Sequence, residues 1–475
     1  MAKPEQRHDG KMKLLPGERF TPYTLATKLD AKVILESSSF VKGKERYSIL
    51  LVKEAFKAVQ RSNGVFLEMD GKTLKVGTPL PAGQKLDILD VCQYFADQHP
   101  PLYQDMPCPT GGIGFLTYEF AARCDTMHIE EKPDPLGLDE AVFIFGHIFV
   151  VFDHFTDVLY LIGINYREHE IDLDAAMAEV ESRMNDMDFN YLSHDKKKYA
   201  ATVMSGPSER AAYMDRVEAV KKEIVAGNLL QGVPSRRLIV KTDMPALAAY
   251  RNLRSNNPSP YLFYLDFGTY QLFGASPETH VKAKNGKAVI KPIAGTRRRG
   301  KDAAEDKALA KELLADEKEK AEHLMLVDLA RNDLGRVCKV GSVKVSDFMS
   351  IENYSHVMHI VSTVEGELAE DMNAAKLVRA SFPAGTVSGA PKIRAVETVT
   401  GLEPYKRGFY AGLVGYFESG GGMDSCITIR SGLAKDGQIV LQAGGGIVFD
   451  SRADREYEET CEKLRALTVA VGVEA

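Results

Sequence analysis

Val142-Phe143-Ile144-Phe145-Gly146-His147-Ile148-Phe149-Val150-Val151-Phe152-Asp153, then His154-Phe155-Thr156-Asp157, then Val158-Leu159-Tyr160-Leu161-Ile162-Gly163-Ile164-Asn165, decides the architecture. Two apolar runs rich in aromatic and β-branched residues flank a short turn, which predicts a β-hairpin. The first run, Val142 to Phe152, is the longest apolar stretch of the chain. It is far shorter than the ~20 residues a membrane helix needs, and Gly146 and His147 interrupt it.

Outward from this hairpin the pattern stays mixed. On the N-terminal side, Ala31 to Ser37 reads as a strand. On the C-terminal side, a polar stretch from Glu168 to Lys198 reads as partly helical and marks the boundary between an N-terminal half, 1–200, and a C-terminal half, 201–475. Ser208 can cap a helix in which Tyr213, Val217, Val220 and Ile224 recur at helical spacing until Gly227-Asn228 stops it. Strands follow near 237–241, 261–265 and 270–273, and Asn285-Gly286 between Val281 and Ile290 signals a two-residue hairpin. Helices are expected near 316–331, just after Pro391, and at 453–471. A β-rich block covers 409–449, punctuated by Gly420-Gly421-Gly422 and Gly444-Gly445-Gly446. Hairpins mixed with helices predict an α+β fold rather than a doubly wound parallel sheet.

Composition excludes several functions. The 475 residues carry 60 Lys and Arg against 66 Asp and Glu, a net charge of −6, which is the wrong sign for general nucleic-acid binding. Lys196-Lys197-Lys198 reads as a solvated surface run. The N-terminal ten residues are polar and lack an apolar signal core. Six cysteines with no C-x-x-C pair point to reduced thiols, and so to the cytoplasm.

Two predicted helices carry acids at matching spacing, Glu319 with Glu322 and Glu456 with Glu459. Carboxylates converging from two helices suit Mg²⁺, which takes one or two protein carboxylates plus waters and a substrate anion. The same spacing also fits solvated helix starts. Gly295-Thr296 after the strand 288–293, Gly385-Thr386 before the helix near 392, and Gly444 to Gly446 each fit an anion-binding turn or a plain tight turn. Arg430 fits either a carboxylate fork or a surface ion pair. His359 fits either a core histidine or a polar group aimed into a pocket. Glu278, after Gly274-Ala275-Ser276-Pro277, fits either a general acid or a strand-edge acid.

Longer motifs narrow this reading. They are Asn257-Pro258-Ser259-Pro260-Tyr261, Gly274 to Glu278, Pro292-Ile293-Ala294-Gly295-Thr296-Arg297, Glu322 to Leu334, Phe382 to Lys392 and Glu458-Glu459-Thr460. In this order they resemble the chorismate-utilising enzyme family, in its anthranilate synthase component I branch, over about 210–470. Leu35 to Ser38, Arg46 to Ser48 and Gly111 to Phe115 extend the likeness more loosely into the first half.

The resemblance implies a two-layer α/β sandwich of two interleaved domains, with a regulatory first half and a chorismate-binding second half. It implies Mg²⁺ on Glu322 and Glu459, with Glu319 and Glu456 as nearby acids. Gly295, Thr296, Tyr410, Arg430, Gly444, Gly445 and Gly446 are similar to substrate-binding positions. Glu278 resembles the general acid, His359 the histidine that supports pyruvate loss, and Thr386 a substrate-holding residue. Glu36, Ser37, Pro260, Tyr261 and Leu262 look like a pocket for the feedback inhibitor L-tryptophan, a use that fits a chain with no tryptophan of its own.

Relatives that add water at C2 carry a lysine where this chain has Gln231. Relatives that aminate C4 carry one where it has Ala294. Both residues favour ammonia at C2, hence anthranilate, over the rival C4 amination of aminodeoxychorismate synthase component I, an isochorismate synthase, or an inert tryptophan-binding relative. Since the sequence shows no fused glutaminase, a separate glutamine amidotransferase subunit is the expected partner, in a hetero-oligomer. One departure is Gly232, where relatives carry a β-branched residue.

Overall fold

The computed structural model describes residues 4, 6–7, 9–39, 43–44, 46–77, 86–101, 106–186, 198–204, 206, 208–353 and 357–473. Part of the expected boundary stretch, 187–197, including Lys196 and Lys197, and part of the N-terminal ten lie outside them.

The opening hairpin forms as expected. Strand Ala141–Asp153 pairs antiparallel with Val158–Gly163, Asp153 facing Val158. The long strand is the corner of the molecule. Its first residues pair with Ile113–Leu116, its last with the hairpin partner, and Tyr47–Arg61 runs beside nearly its whole length. Register shifts between Leu51 and Phe56, opposite Gly146, let the pair bend. Two sheets leave from this corner, and every ladder in the described residues is antiparallel.

The two halves of the chain share both sheets. Val33–Glu36 inserts beside Tyr261–Asp266, and Ile113–Leu116 beside Leu413–Glu418. Period-two alternation then sorts side chains into layers. On strand Tyr261–Asp266, Phe263 and Leu265 enter a core between the sheets with Phe115, Leu272 and Val281. Leu262 and Tyr264 instead enter a second core, beneath helices Pro22–Leu29, Leu173–Asn185, Ala246–Asn256 and Ala453–Ala470. Helices Ile88–Ala96, Glu317–Gly335 and Ala374–Ser381 add residues to the first core from the other side. Two α/β layers therefore pack sheet to sheet, with strands of both halves interleaved. No helix among the described residues is long and apolar enough to cross a membrane.

Local details follow the residue chemistry. Asn285 and Gly286 take φ of 52° and 74°, the left-handed pair that a tight hairpin between Thr279–Lys284 and Lys287–Ile290 demands. Asp316 caps helix Glu317–Gly335 through the Lys318 and Glu319 amides. One expectation is corrected. Gly295-Thr296 does not follow a strand at 288–293; the chain breaks at Lys291-Pro292, and both residues lie inside strand Ile293–Arg298. Proline cannot donate to the ladder, which ends the first strand. A bulge then re-aims the second at Gly295, φ 69°.

Candidate active site

The bulge at Gly295 is where the site begins. Strand Ile293–Arg298 lies against Val357–Glu367, which sets Thr296 opposite His359. His359 Nδ1 is 3.0 Å from the Gly295 carbonyl and 3.1 Å from Thr296 Oγ1. The carbonyl can only accept, so Nδ1 carries the proton and Nε2 is the basic nitrogen. Burial, together with Arg430, holds the ring below the usual histidine range and keeps it neutral.

Glu278 stands at the end of a pinned turn. Ser276 Oγ donates to the Ile427 carbonyl at 2.7 Å, and the Ile427 amide donates to the Glu278 carbonyl at 3.1 Å. The Glu278 side chain is buried, and burial pushes its carboxyl up to about 7, against the pull of Thr386 beside it and of Lys463. A carboxyl that stays protonated near neutrality is a general acid by its environment.

Two helices supply the acids. On Glu317–Gly335, Glu322 accepts from Gln231 Nε2 at 2.8 Å, and Glu319 accepts from Arg297 at 3.1 Å. Arg297 also holds Glu312 and Asp316, at 3.1 and 2.7 Å. On Ala453–Ala470, Glu459 pairs with Lys463 at 2.6 Å. Burial, with the charges of Glu319 and Glu459, raises the Glu322 carboxyl. Glu322 has no ion-pair partner among the described residues.

The three glycines lie between these helices as bare backbone. A Cβ on Gly444 would lie 3.0 Å from Tyr410 Oη, one on Gly445 3.1 Å from Glu456 Oε2, and one on Gly446 2.7 Å from Gln231 Nε2. Side chains there would fill the space an anion needs. Arg430 closes the wall. Its backbone takes φ 51°, strained for a non-glycine residue, and its Nη1 donates to the Lys463 carbonyl at 2.6 Å. Tyr410 packs beside the buried Arg407, whose guanidinium binds Glu403 and the Val233 and Val387 carbonyls.

Lys463 was missed in the sequence. It touches Glu459 and donates to the Gly444 carbonyl at 2.9 Å, and its only sequence signal is its place four residues after Glu459. Gln231 acts here through Glu322, a contact between segments 91 residues apart. Gly232 bears on the helix rather than the site: a Cβ there would meet Val220 Cγ1 at 2.8 Å.

A second cavity, of about 440 Å³, lies apart from these groups and gathers Glu36, Ser37, Pro260, Tyr261 and Leu262. Arg46, Lys282, Met423 and Asp424 also line it. The Glu36 carboxylate is committed to Arg254, at 2.5 and 2.8 Å, and to the Tyr250 hydroxyl at 2.7 Å. Tyr261 Oη reaches Asp424 at 2.8 Å and Thr279 at 3.0 Å.

Comparison with known proteins agrees with this arrangement. The family model for chorismate binding enzymes matches residues 53–469. The chain belongs to the chorismate binding enzyme family. Within this family it is 58% identical to anthranilate synthase component 1 of Spirochaeta aurantia, covering 99% of this chain and 98% of that protein. It is 37% identical to the component of the same name from Aquifex aeolicus, over 95% and 92%. Among solved structures, anthranilate synthase component I of Streptococcus pneumoniae superposes with a TM-score of 0.78 at 35% identity, over 89% of this chain and 92% of that one. The menaquinone-specific isochorismate synthase of Escherichia coli shares the fold, with a TM-score of 0.73 at 17% identity over 99% and 96%. The chain is thus a chorismate-utilising enzyme on the anthranilate synthase component I branch.

Proposed function

We propose that the chain is the large subunit of an anthranilate synthase, converting chorismate and ammonia to anthranilate and pyruvate, the first committed step toward tryptophan. The observation that carries this reading is the Gln231–Glu322 contact. The Gln231 amide donates its N–H to a carboxylate, so this position has no base to activate water. Ala294, on strand Ile293–Arg298, offers no nucleophile either. Ammonia needs neither.

The chemistry follows from the residues. Glu278 gives its proton to the C4 oxygen as the C4–O bond breaks and water leaves, while ammonia adds at C2. The added nitrogen loses its extra proton to solvent; the neutral His359 then takes the C2 proton as the enolpyruvyl C–O bond breaks, and the departing enolate takes up a proton at its methylene carbon and leaves as pyruvate, with the ring aromatic. Arg430 and the glycine turn hold the enolpyruvyl carboxylate.

The donor set fits Mg²⁺. Glu322, with no ion-pair partner among the described residues, and Glu459, paired with Lys463 at 2.6 Å, are hard oxygen donors from two different helices. A cation that keeps waters and shares a substrate carboxylate wants such a site. When bound, the ion neutralises the ring carboxylate of chorismate.

In this reading the 440 Å³ cavity takes L-tryptophan as feedback inhibitor, supported by the five expected residues lining it. Ammonia comes from a separate glutamine amidotransferase subunit, and the complex works in the cytoplasm. The test is a product assay with the purified chain, chorismate, Mg²⁺ and ammonium at alkaline pH. Anthranilate with equimolar pyruvate is expected. Isochorismate, or an aminated product retaining its enolpyruvyl group as the end point, overturns the reading.

A further inference from the structure

A small cavity lies behind Glu278, away from the glycine turn. It has a volume of about 40 Å³ and shares only Glu278 and Thr386 with the groups assigned above. Its wall runs from these two through His280, Ala330, Asp333, Ser381 and Ala384 to the exposed Lys291. At roughly 10–15 Å³ per water it has room for two or three.

Its polar atoms call for occupants. His280 is 3% exposed, and its Nε2 is buried without a hydrogen-bond partner among the described residues. Thr386 Oγ1 is buried likewise, beside the Glu278 carboxyl and with no other partner among the described residues. Such atoms cost roughly 1–3 kcal/mol each when unsatisfied. Ser425 Oγ donates to the Val281 carbonyl at 2.8 Å, so toward His280 Nδ1, at 3.4 Å, it can only accept. Nδ1 can therefore donate to Ser425 Oγ. Burial and the nearby Lys392 hold the ring neutral, far below the usual histidine range at about 3, against the pull of the Ser381 carbonyl.

We propose that this cavity holds ordered water that returns a proton to Glu278 after each turnover, with His280 and Thr386 as positioning residues for that water. The proposal rests on the reading of Glu278 as general acid. Once Glu278 has given its proton to the departing oxygen, bound substrate and product cover its front. A proton from solvent then enters past Lys291 and is handed along the cavity water to the carboxylate, each water accepting one proton as it gives one up. The charged groups around this path are Lys291, Asp333 with its partner Lys392 at 2.8 Å, and Lys463 from the last helix.

The test combines a structure with kinetics on the full chain. A crystal structure that orders solvent is expected to place at least one water within hydrogen-bond distance of both His280 Nε2 and Thr386 Oγ1; a dry cavity overturns the proposal. His280→Phe keeps a ring and removes both its nitrogens, while Ala330→Leu fills the cavity and covers the case in which the first variant fails to fold. Either is expected to lower kcat about tenfold, at the low end of acid–base effects. KM for chorismate should stay unchanged and the solvent deuterium isotope effect should rise, which loss of packing alone would not cause. Folded variants with wild-type kcat and isotope effect overturn the relay. Glu278→Gln separates the two readings. If it is inactive while His280→Phe and Ala330→Leu are normal, the acid stands and the relay falls; if it retains wild-type turnover, the acid reading itself has failed.

Discussion

Replacing Glu278 by Gln should stabilise the protein and inactivate it, and the stabilisation should grow with pH. The buried carboxyl titrates at about 7, against an ordinary value of 4.5. The folded state therefore binds the proton more tightly than the unfolded state, so stability falls as pH rises from the unfolded value through the folded one. The shift of about 2.5 units, at 1.36 kcal/mol each, amounts to about 3 kcal/mol lost by pH 8. At pH 5.5 only about 1 kcal/mol is lost, because the pH is just one unit above the unfolded value even though the unfolded carboxyl is already about 90% ionised. Glutamine is nearly isosteric and does not ionise. The stability difference between Glu278→Gln and wild type should thus move in favour of the variant by about 2 kcal/mol from pH 5.5 to 8. Comparing the two chains by urea unfolding at both pH values cancels every other titrating group, including Glu119 and Glu418, which burial also raises to about 7. A difference independent of pH, or one that favours wild type more at pH 8, would refute the assignment of a buried, protonated Glu278.

Other substitutions probe the remaining assignments. Glu322→Ala should cost at least about 100-fold in Mg²⁺-dependent turnover, a loss typical of a removed electrostatic group, while leaving tryptophan binding by calorimetry intact. Ser37→Phe fills the 440 Å³ cavity and should weaken tryptophan inhibition about tenfold or more, read from the inhibition curve, as a lost coupling energy of 1–3 kcal/mol implies. Glu403→Ala strands the fully buried Arg407 and should destabilise the fold by about 3–5 kcal/mol in urea melts. Gly232→Val presses on Val220 and should cost about 1–3 kcal/mol of stability with kcat unchanged, since its Cβ points at the helix and not into the site.

What the sequence made legible was local. The hairpins at Asp153–Val158 and Asn285-Gly286 and the acid pairs on two helices all rest on spacings of a few residues. The anion-accommodating glycines were visible as a run, but their need for bare backbone was not. It depends on Tyr410, Glu456 and Gln231 approaching from three other elements. The bulge at Gly295 was misread as a turn because a bulge exists only relative to a partner strand, here Val357–Glu367. Helix Ala303–Ala315 escaped notice because it buries only Leu313 and so has no apolar period to read, whereas helix Ala246–Asn256 does carry one, in Ala246, Ala249, Tyr250 and Leu253, that was missed. The values of Glu278 and His359 are set by burial, which no spacing encodes.

The same long-range pairing gives the molecule a route between its two cavities. Tyr261, at the wall of the larger one, bonds Thr279, and Thr279 lines both. Thr279 is also the chain neighbour of Glu278, and its strand pairs with Cys426 in the segment that pins the Glu278 turn through Ile427. A ligand that shifts Tyr261 must therefore move Thr279 or break a 3.0 Å bond, and motion of Thr279 is carried by the peptide bond itself to the acid. Removing that hydroxyl in Tyr261→Phe should uncouple the cavities: tryptophan still binds, by calorimetry, but inhibits less. Linkage requires the converse, that chorismate then no longer weakens tryptophan binding. If Tyr261→Phe binds tryptophan normally and is inhibited as strongly as wild type, coupling runs through the shared sheet as a whole, where Val33–Glu36 joins the two halves of the chain.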